Sequence, residues 1–273
     1  MKSLELVSYC KVELASVGIS DYLEAEWLVA LALSVPFSDL YKDFDVEFGD
    51  LEKVRRVLDE RKKGRPLAYI IGTSEFFGRE FETHEGVLIP RPETELLVEE
   101  VIKIAKKKPE VRILDIGTGS GVIAITLALE TDAKVTAVDI SDEAIRHAKL
   151  NSEKLGADIN IQKSDLFENV NGRFDIIVSN PPYIKTKVID TLDKCVKDFE
   201  PMLALDGGDD GLNIYRKIVE SAPKFLSEEG YIAFEIGYDQ ADDLKGLLEK
   251  DFENIKIIKD YSKNDRVVIA KLR

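Results

Sequence analysis

Cysteine and histidine are scarce in this chain, with two of each among 273 residues. Cys10 and Cys195 lie far apart and in no metal-ligand spacing, which excludes a disulfide-built secreted scaffold. With only His84 and His147 beside them, a structural zinc site has almost no ligands, so no metal is expected. Long apolar runs are missing too. None approaches the ~18 residues that span a bilayer, and the opening Met-Lys-Ser-Leu-Glu-Leu has no signal-peptide stretch. The expectation is a soluble cytoplasmic protein with no membrane partner.

Positive charge is the third shortage: 38 Lys and Arg stand against 52 Asp and Glu, a net charge of −14. Such a surface repels polyanions, so extended nucleic-acid binding is not expected. One basic run, Lys53, Arg55, Arg56, Arg61, Lys62, Lys63 and Arg65, reads either as a solvated helix face or as a contact surface for RNA or an acidic partner. Apolar residues make up 44% of the chain, enough for a core, and the length allows one large domain or two modest ones.

Apolar positions recur at helical spacing through residues 1–65, punctuated by Gly18, Pro36 and Gly49, which predicts a small helical bundle. A β-like passage follows in Leu67–Gly72, Glu75–Phe81 and Val87–Ile89, read as a hairpin linking two domains. From Pro92 onward strands and helices alternate. Strands are predicted at 111–116, 134–139, 159–163, 174–179, 230–236, 254–259 and 266–272, the last two pairing antiparallel at an edge. This pattern predicts an α/β fold with a mostly parallel sheet covered on both faces.

Two stretches carry chemistry. In Asp115-Ile116-Gly117-Thr118-Gly119-Ser120-Gly121 a strand runs into a glycine turn and then a helix, where bare backbone approaches a ligand closely. Val122 stands where a dinucleotide fingerprint wants its last glycine, which disfavours a nicotinamide cofactor. Asp139 ends the next strand about 20 residues on, where a carboxylate accepts ribose hydroxyls. Lys163-Ser164-Asp165-Leu166 follows the third strand, either as a plain loop or as a cover for an adenine. Ser141 reads as the cap of the helix that starts at Asp142.

The second stretch is Asn180-Pro181-Pro182-Tyr183 at the end of a strand. Proline fixes its own φ and pushes the preceding residue to extended ψ, so carbonyls here have no ladder partner. A planar amino or amide nitrogen presents two N–H donors that need acceptors when buried. The Asn180 side-chain oxygen and the Pro181 carbonyl supply two, and Tyr183 is placed to pack on the planar group and face a sulfonium cation.

These motifs resemble those of class I S-adenosylmethionine-dependent methyltransferases acting on amino nitrogens. More narrowly, Pro66–Gly72, Glu75–Gly78, Val87-Leu88-Ile89-Pro90-Arg91-Pro92-Glu93-Thr94-Glu95, Phe199-Glu200-Pro201 and Gly208-Asp209-Asp210-Gly211-Leu212 are similar to the HemK/PrmC family of protein-(glutamine-N5) methyltransferases. The likeness covers nearly the whole chain; only residues 1–60 lack sharp motifs. It implies a Rossmann-like domain over 93–273 with a seven-stranded, mostly parallel sheet. A helical bundle over 1–72 would recognise substrate, and a β-hairpin linker would span 73–92. The implied reaction moves a methyl group from S-adenosyl-L-methionine, leaving S-adenosyl-L-homocysteine, to the glutamine of the Gly-Gly-Gln motif in peptide chain release factors. By the same analogy Gly117, Thr118, Gly119, Ser120, Gly121, Asp139, Asp165, Leu166 and Asn180 border the cofactor. Asn180, Pro181, Pro182 and Tyr183 hold the glutamine amide, with Asn180, Pro181 and Tyr183 catalytic. Arg91 and Glu93, counted with the substrate-binding residues, organise a lid from Ile89 to Thr94 over the methionine end of the cofactor, or else form linker salt bridges. The competing readings are a glutamine methyltransferase of a ribosomal protein, an N6-adenine or N2-guanine nucleic-acid methyltransferase, and a non-catalytic nucleoside-binding scaffold.

Overall fold

A computed structural model describes residues 1–20 and 23–273. The chain divides into two units, Met1–Gly72 with Lys194–Phe199, and Thr73–Asp193 with Glu200–Arg273.

The first unit contains α1 (Ser3–Ala15), α2 (Glu24–Ala32), α3 (Phe48–Lys62) and α4 (Leu67–Ile71), with a 3₁₀ turn at Phe37–Lys42. Leu6, Cys10 and Leu14 recur every four residues on α1 and therefore share one face. They are buried in one core with Leu28 and Val29 of α2 and Val54 and Leu58 of α3. Most of the basic run is paired within this unit. Lys53 pairs with Asp50, Arg55 with Glu52, Lys63 with Glu60, Arg61 with Glu24 and Lys62 with Glu13. Pairs of this kind add little stability, but they remove most of the free positive charge and favour the solvated-face reading.

Residues 67–71 correct the sequence reading, because they form α4 and not a strand. Pro66 precedes the helix with φ −56°, and Gly72 ends it at φ +87°, donating its N–H to the Ala68 carbonyl. A short apolar run bounded this way satisfies strand and helix patterns equally, and the Pro and Gly positions decide for the helix.

The second unit opens with the hairpin β1 (Thr73–Phe76) and β2 (Arg79–Glu82). Residues 87–89, expected to be extended, form no strand. Then follow α5 (Thr94–Ala105), β3 (Arg112–Ile116), α6 (Val122–Glu130), β4 (Lys134–Asp139), α7 (Asp142–Leu155), β5 (Ile159–Lys163) and β6 (Phe174–Ser179). Single turns α8 (Thr186–Ile189), α9 (Lys194–Lys197, grouped with the first unit) and α10 (Met202–Leu205) lead to α11 (Asn213–Phe225). The chain closes with β7 (Leu226–Glu235), α12 (Ala241–Leu248), β8 (Phe252–Lys259) and β9 (Asp265–Leu272).

Seven strands make one sheet in the order β5-β4-β3-β6-β7-β9-β8. β9 runs antiparallel to both β7 and β8, as the missing helix between the last two strands predicts, and β3 through β7 are parallel. Successive residues of a strand face opposite ways, so Ile113 and Ile176 enter one core while Leu114 and Ile177 enter the other. Leu97 of α5 and Leu127 of α6 cover the first face; Ile218 of α11 and Leu244 of α12 cover the second. Burial of each such side chain stabilises by about 1.5–3 kcal/mol. No helix among the described residues is long and apolar enough to cross a membrane.

Candidate active site

Strand register brings the motifs together. Ile116 pairs with both Val138 and Ser179, Asp139 with Lys163, and Ser179 with Phe234. Gly117, Asn180, Ser164 and Glu235 therefore meet the carboxyl edge of the sheet at one level. β4 and β5 extend outward from one side of β3 while β6 lies on its other side, and a crevice opens where the order reverses. A cavity of 330 Å³ occupies it. That is within the range of about 300–1,000 Å³ for small-molecule sites.

The glycine turn forms one wall. Gly117 and Gly119 hold φ of +73° and +56°, and a Cβ on either would meet nothing within 4 Å, so bare backbone faces the cavity. Gly121, φ +87°, serves packing instead. A Cβ there would lie 2.8 Å from Ile125 and 3.2 Å from Ala148, and the residue does not line the cavity. Thr118 and Ser120 do line it. Thr118 Oγ1 donates to Asp115 Oδ2 at 2.6 Å, and the Ser120 carbonyl accepts from Asn151 Nδ2 at 2.9 Å. Asp115 is wholly buried, which pushes its carboxyl up to about 7.

Asp139 lines the same cavity with its carboxylate braced by backbone: Oδ2 accepts from Gly119 N and Oδ1 from Ser141 N, both at 2.9 Å. Burial raises its pKa. Each oxygen keeps a second lone pair, enough for two hydroxyl donors. Ser141 also caps α7, accepting from Ala144 N at 3.3 Å. Asp165 and Leu166 line the cavity too. Leu166 holds φ +47°, and the Ser164 hydroxyl donates to its carbonyl at 2.9 Å.

Asn180, Pro181 and Pro182 form the opposite wall. Asn180 Nδ2 donates to Thr94 Oγ1 at 3.3 Å, leaving Oδ1 without a partner; the Pro181 carbonyl likewise accepts nothing among the described residues. Tyr183 stands apart from the sequence expectation. Its ring is half-buried against the second core, outside the cavity lining, and burial pushes its phenol up to about 12. The loop after α10 closes on this wall. A Cβ on Gly207 would lie 2.8 Å from the Pro182 carbonyl oxygen, and one on Gly211 would lie 2.4 Å from that of Tyr183.

The 89–94 segment meets the cavity at Pro90, Arg91 and Thr94. Arg91 pairs with the buried Glu200, whose other oxygen accepts from Ile89 N at 3.2 Å. Glu93 is exposed at the N-cap of α5 and does not line the cavity, whereas Arg91 lines it and forms its ion pair with Glu200.

Residue-type reasoning passed over Glu235, Gln240 and Asn151. The one available signal was a charged residue ending the apolar run Tyr231-Ile-Ala-Phe234.

Two family profiles match the chain: the PrmC N-terminal domain over residues 5–72 and the methyltransferase small domain over 91–208. The release factor glutamine methyltransferase of Fusobacterium nucleatum is 42% identical across 91% of this chain and 73% of its own length. That of Geobacter sulfurreducens is 40% identical across 98% and 96%. Among solved structures, a methyltransferase from Pyrococcus furiosus has a TM-score of 0.59 at 22% identity, covering 78% of this chain and 98% of its own, which shows a shared fold. The ribosomal protein L11 methylase of Lactobacillus delbrueckii reaches 0.51 at 26%, covering 67% and 81%. With the helical N-terminal unit and the methyltransferase domain both matched, and identity sustained across nearly all of the sequence, the chain belongs to the HemK/PrmC family of release factor glutamine methyltransferases.

Proposed function

We propose that this protein methylates the side-chain amide nitrogen of the glutamine in the Gly-Gly-Gln motif of peptide chain release factors. The observation that carries the reading is the pair of free acceptors, Asn180 Oδ1 and the Pro181 carbonyl, on a wall of the cavity that the glycine turn also lines. The Gly117–Gly119 backbone and the Asp139 carboxylate would hold S-adenosylmethionine, which would supply a methyl group on positively charged sulfur. Asp165 and Leu166 border its base, and Arg91, fixed by Glu200, closes the other end.

An amide nitrogen is a weak nucleophile because its lone pair is delocalised. Two acceptors on its N–H groups fix the amide plane and turn one face of the nitrogen toward the donor side. As the nitrogen–carbon bond forms the sulfur–methyl bond would break to leave the neutral thioether, and the amide proton, acidic only then, is lost to solvent, so the chain contributes alignment and not a strong base. Alignment of this kind supplies about 7–11 kcal/mol. Tyr183 contributes as an anchor of the segment, its ring packed against the second core. The helical unit exposes Trp27 and Tyr41 on either side of Phe37, with ring centroids 4.7 and 6.1 Å from it, and we assign it contact with the rest of the protein substrate. The net charge of −14 supports a protein substrate over a nucleic acid.

Incubation with methyl-labelled S-adenosylmethionine and, separately, release factor, ribosomal proteins and RNA tests this. Mass spectrometry is expected to place the label on the Gly-Gly-Gln glutamine, with loss of labelling in Asn180→Ala. Label on RNA or a ribosomal protein alone overturns the substrate assignment.

A further inference from the structure

Behind Asn180 the structure holds a carboxylate that the reaction itself does not use. Glu235 ends β7, beside the end of β6, and is 1% exposed. Its Oε2 accepts from Thr94 Oγ1 at 2.6 Å, and Thr94 Oγ1 in turn accepts from Asn180 Nδ2 at 3.3 Å. Thr94, the first residue of α5, is 3% exposed. The three side chains come from three separate elements, which only the fold brings together.

A carboxamide presents NH₂ on one side and oxygen on the other, and the two are nearly the same size. Asn180 holds a substrate N–H only if its oxygen faces the cavity. The hydroxyl of Thr94 has one proton. When that proton is donated to the Glu235 carboxylate, only a lone pair is left for Asn180, and the partner must be Nδ2. Oδ1 is thereby turned outward. With the carboxylate gone, the same hydroxyl is free to donate, and the flipped amide, with NH₂ in the cavity, becomes equally acceptable.

We propose that Glu235 is a positioning residue that, through Thr94 and by its own pull on the Asn180 amide, locks the orientation of the Asn180 carboxamide so that its oxygen faces the acceptor nitrogen. This rests on the function proposed above. Other groups face Glu235: Arg266 of β9 and the Asn180 side chain itself favour its charge, while Glu93 before α5 opposes it. Tyr183 after β6 and Tyr215 of α11 lie close as well, and the Tyr215 hydroxyl donates to the Glu235 carbonyl at 2.7 Å. Burial pushes the carboxyl up to about 7, so its ionisation falls within an accessible range.

The test uses Glu235→Gln, Thr94→Val, Thr94→Ser and the double variant Thr94→Val/Glu235→Gln. Turnover on release factor is expected to fall about tenfold to a hundredfold in Thr94→Val and Glu235→Gln, the scale of a small misplacement. The double variant falls no further than the worse single one, and Thr94→Ser restores turnover. Calorimetric affinity for S-adenosylmethionine and the melting temperature, followed in each variant, separate mispositioning from misfolding. A second readout needs no substrate: the side-chain amide ¹⁵N resonance of Asn180 shifts with pH in the wild type and loses that response in Glu235→Gln. Unchanged turnover in Thr94→Val, losses that multiply in the double variant, or an Asn180 resonance indifferent to pH overturns the proposal. If wild-type protein leaves release factor unlabelled while the resonance still responds, the substrate reading fails and the relay stands.

Discussion

Gln240 Nε2 donates to the carbonyl oxygens of both Tyr183 and Gly211 at 3.1 Å, while its Oε1 accepts from Gly237 N at 2.9 Å. One buried amide thus ties the Asn-Pro-Pro-Tyr segment to two loops far away in sequence. Prolines cannot join a ladder, so this segment needs an outside partner to stay in place. Gln240→Ala leaves three buried backbone groups unpaired and is expected to cost about 1–3 kcal/mol of stability. Gln240→Glu also puts an acceptor against two carbonyls, and turnover is expected to fall further than in the alanine variant. Denaturant midpoints and steady-state kinetics check both.

Asp139→Ala is expected to weaken S-adenosylmethionine binding by about 1.5–3 kcal/mol, the range for hydrogen bonds to a charged group. Its braces on Gly119 and Ser141 go as well, so Asp139→Asn, which keeps the size but loses one acceptor, is expected to lose less. Titration calorimetry reads the difference. Equal affinity in wild type and Asp139→Ala refutes the ribose contact.

Gly207→Ala places a methyl 2.8 Å from the Pro182 carbonyl oxygen, the Tyr183 Cα and the Gly211 carbonyl oxygen. All three are backbone, so the acceptor wall must move. Turnover is expected to fall about tenfold or more while cofactor affinity stays within about threefold. Gly49→Ala is the contrast: it lies within α3, nothing stands within 4 Å, and about 0.5–1 kcal/mol of added stability is expected.

Asp115 gives a pH dependence of defined sign. Burial pushes its carboxyl up to about 7, and Oδ1 has no hydrogen-bond partner among the described residues. Between the unfolded value near 4 and about 7 the folded state binds more protons than the unfolded one, so this residue's contribution to stability falls as pH rises through that window. Asp115→Asn removes the titration. Its melting temperature relative to wild type is expected to climb from pH 5 to pH 8 and then level off, with a ceiling of about 4 kcal/mol. A flat difference across that range refutes the assignment.

Motifs that end a strand were legible because register does the rest. Gly117, Asp139 and Asn180 each follow a short Ile- and Val-rich run, and parallel strands of similar length deliver such residues to one edge. Their partners were not. Thr94 with Glu235, Arg91 with Glu200, and Tyr183 with Gln240 are each separated by more than fifty residues, at sequence distances of 141, 109 and 57. Neither member of such a pair carries a local pattern that names the other.

From residue order alone follow the strand–helix alternation, the two-part organisation and the residue types at the cavity, because periodicity, proline and glycine act over a few neighbours. Which of those residues face the cavity was decided by packing: Tyr183 lies half-buried against the second core, Gly121 yields to Ala148, and Glu93 stays in solvent. Side-chain direction at an element's end depends on what lies across the fold, and that information enters only when distant elements close on one another.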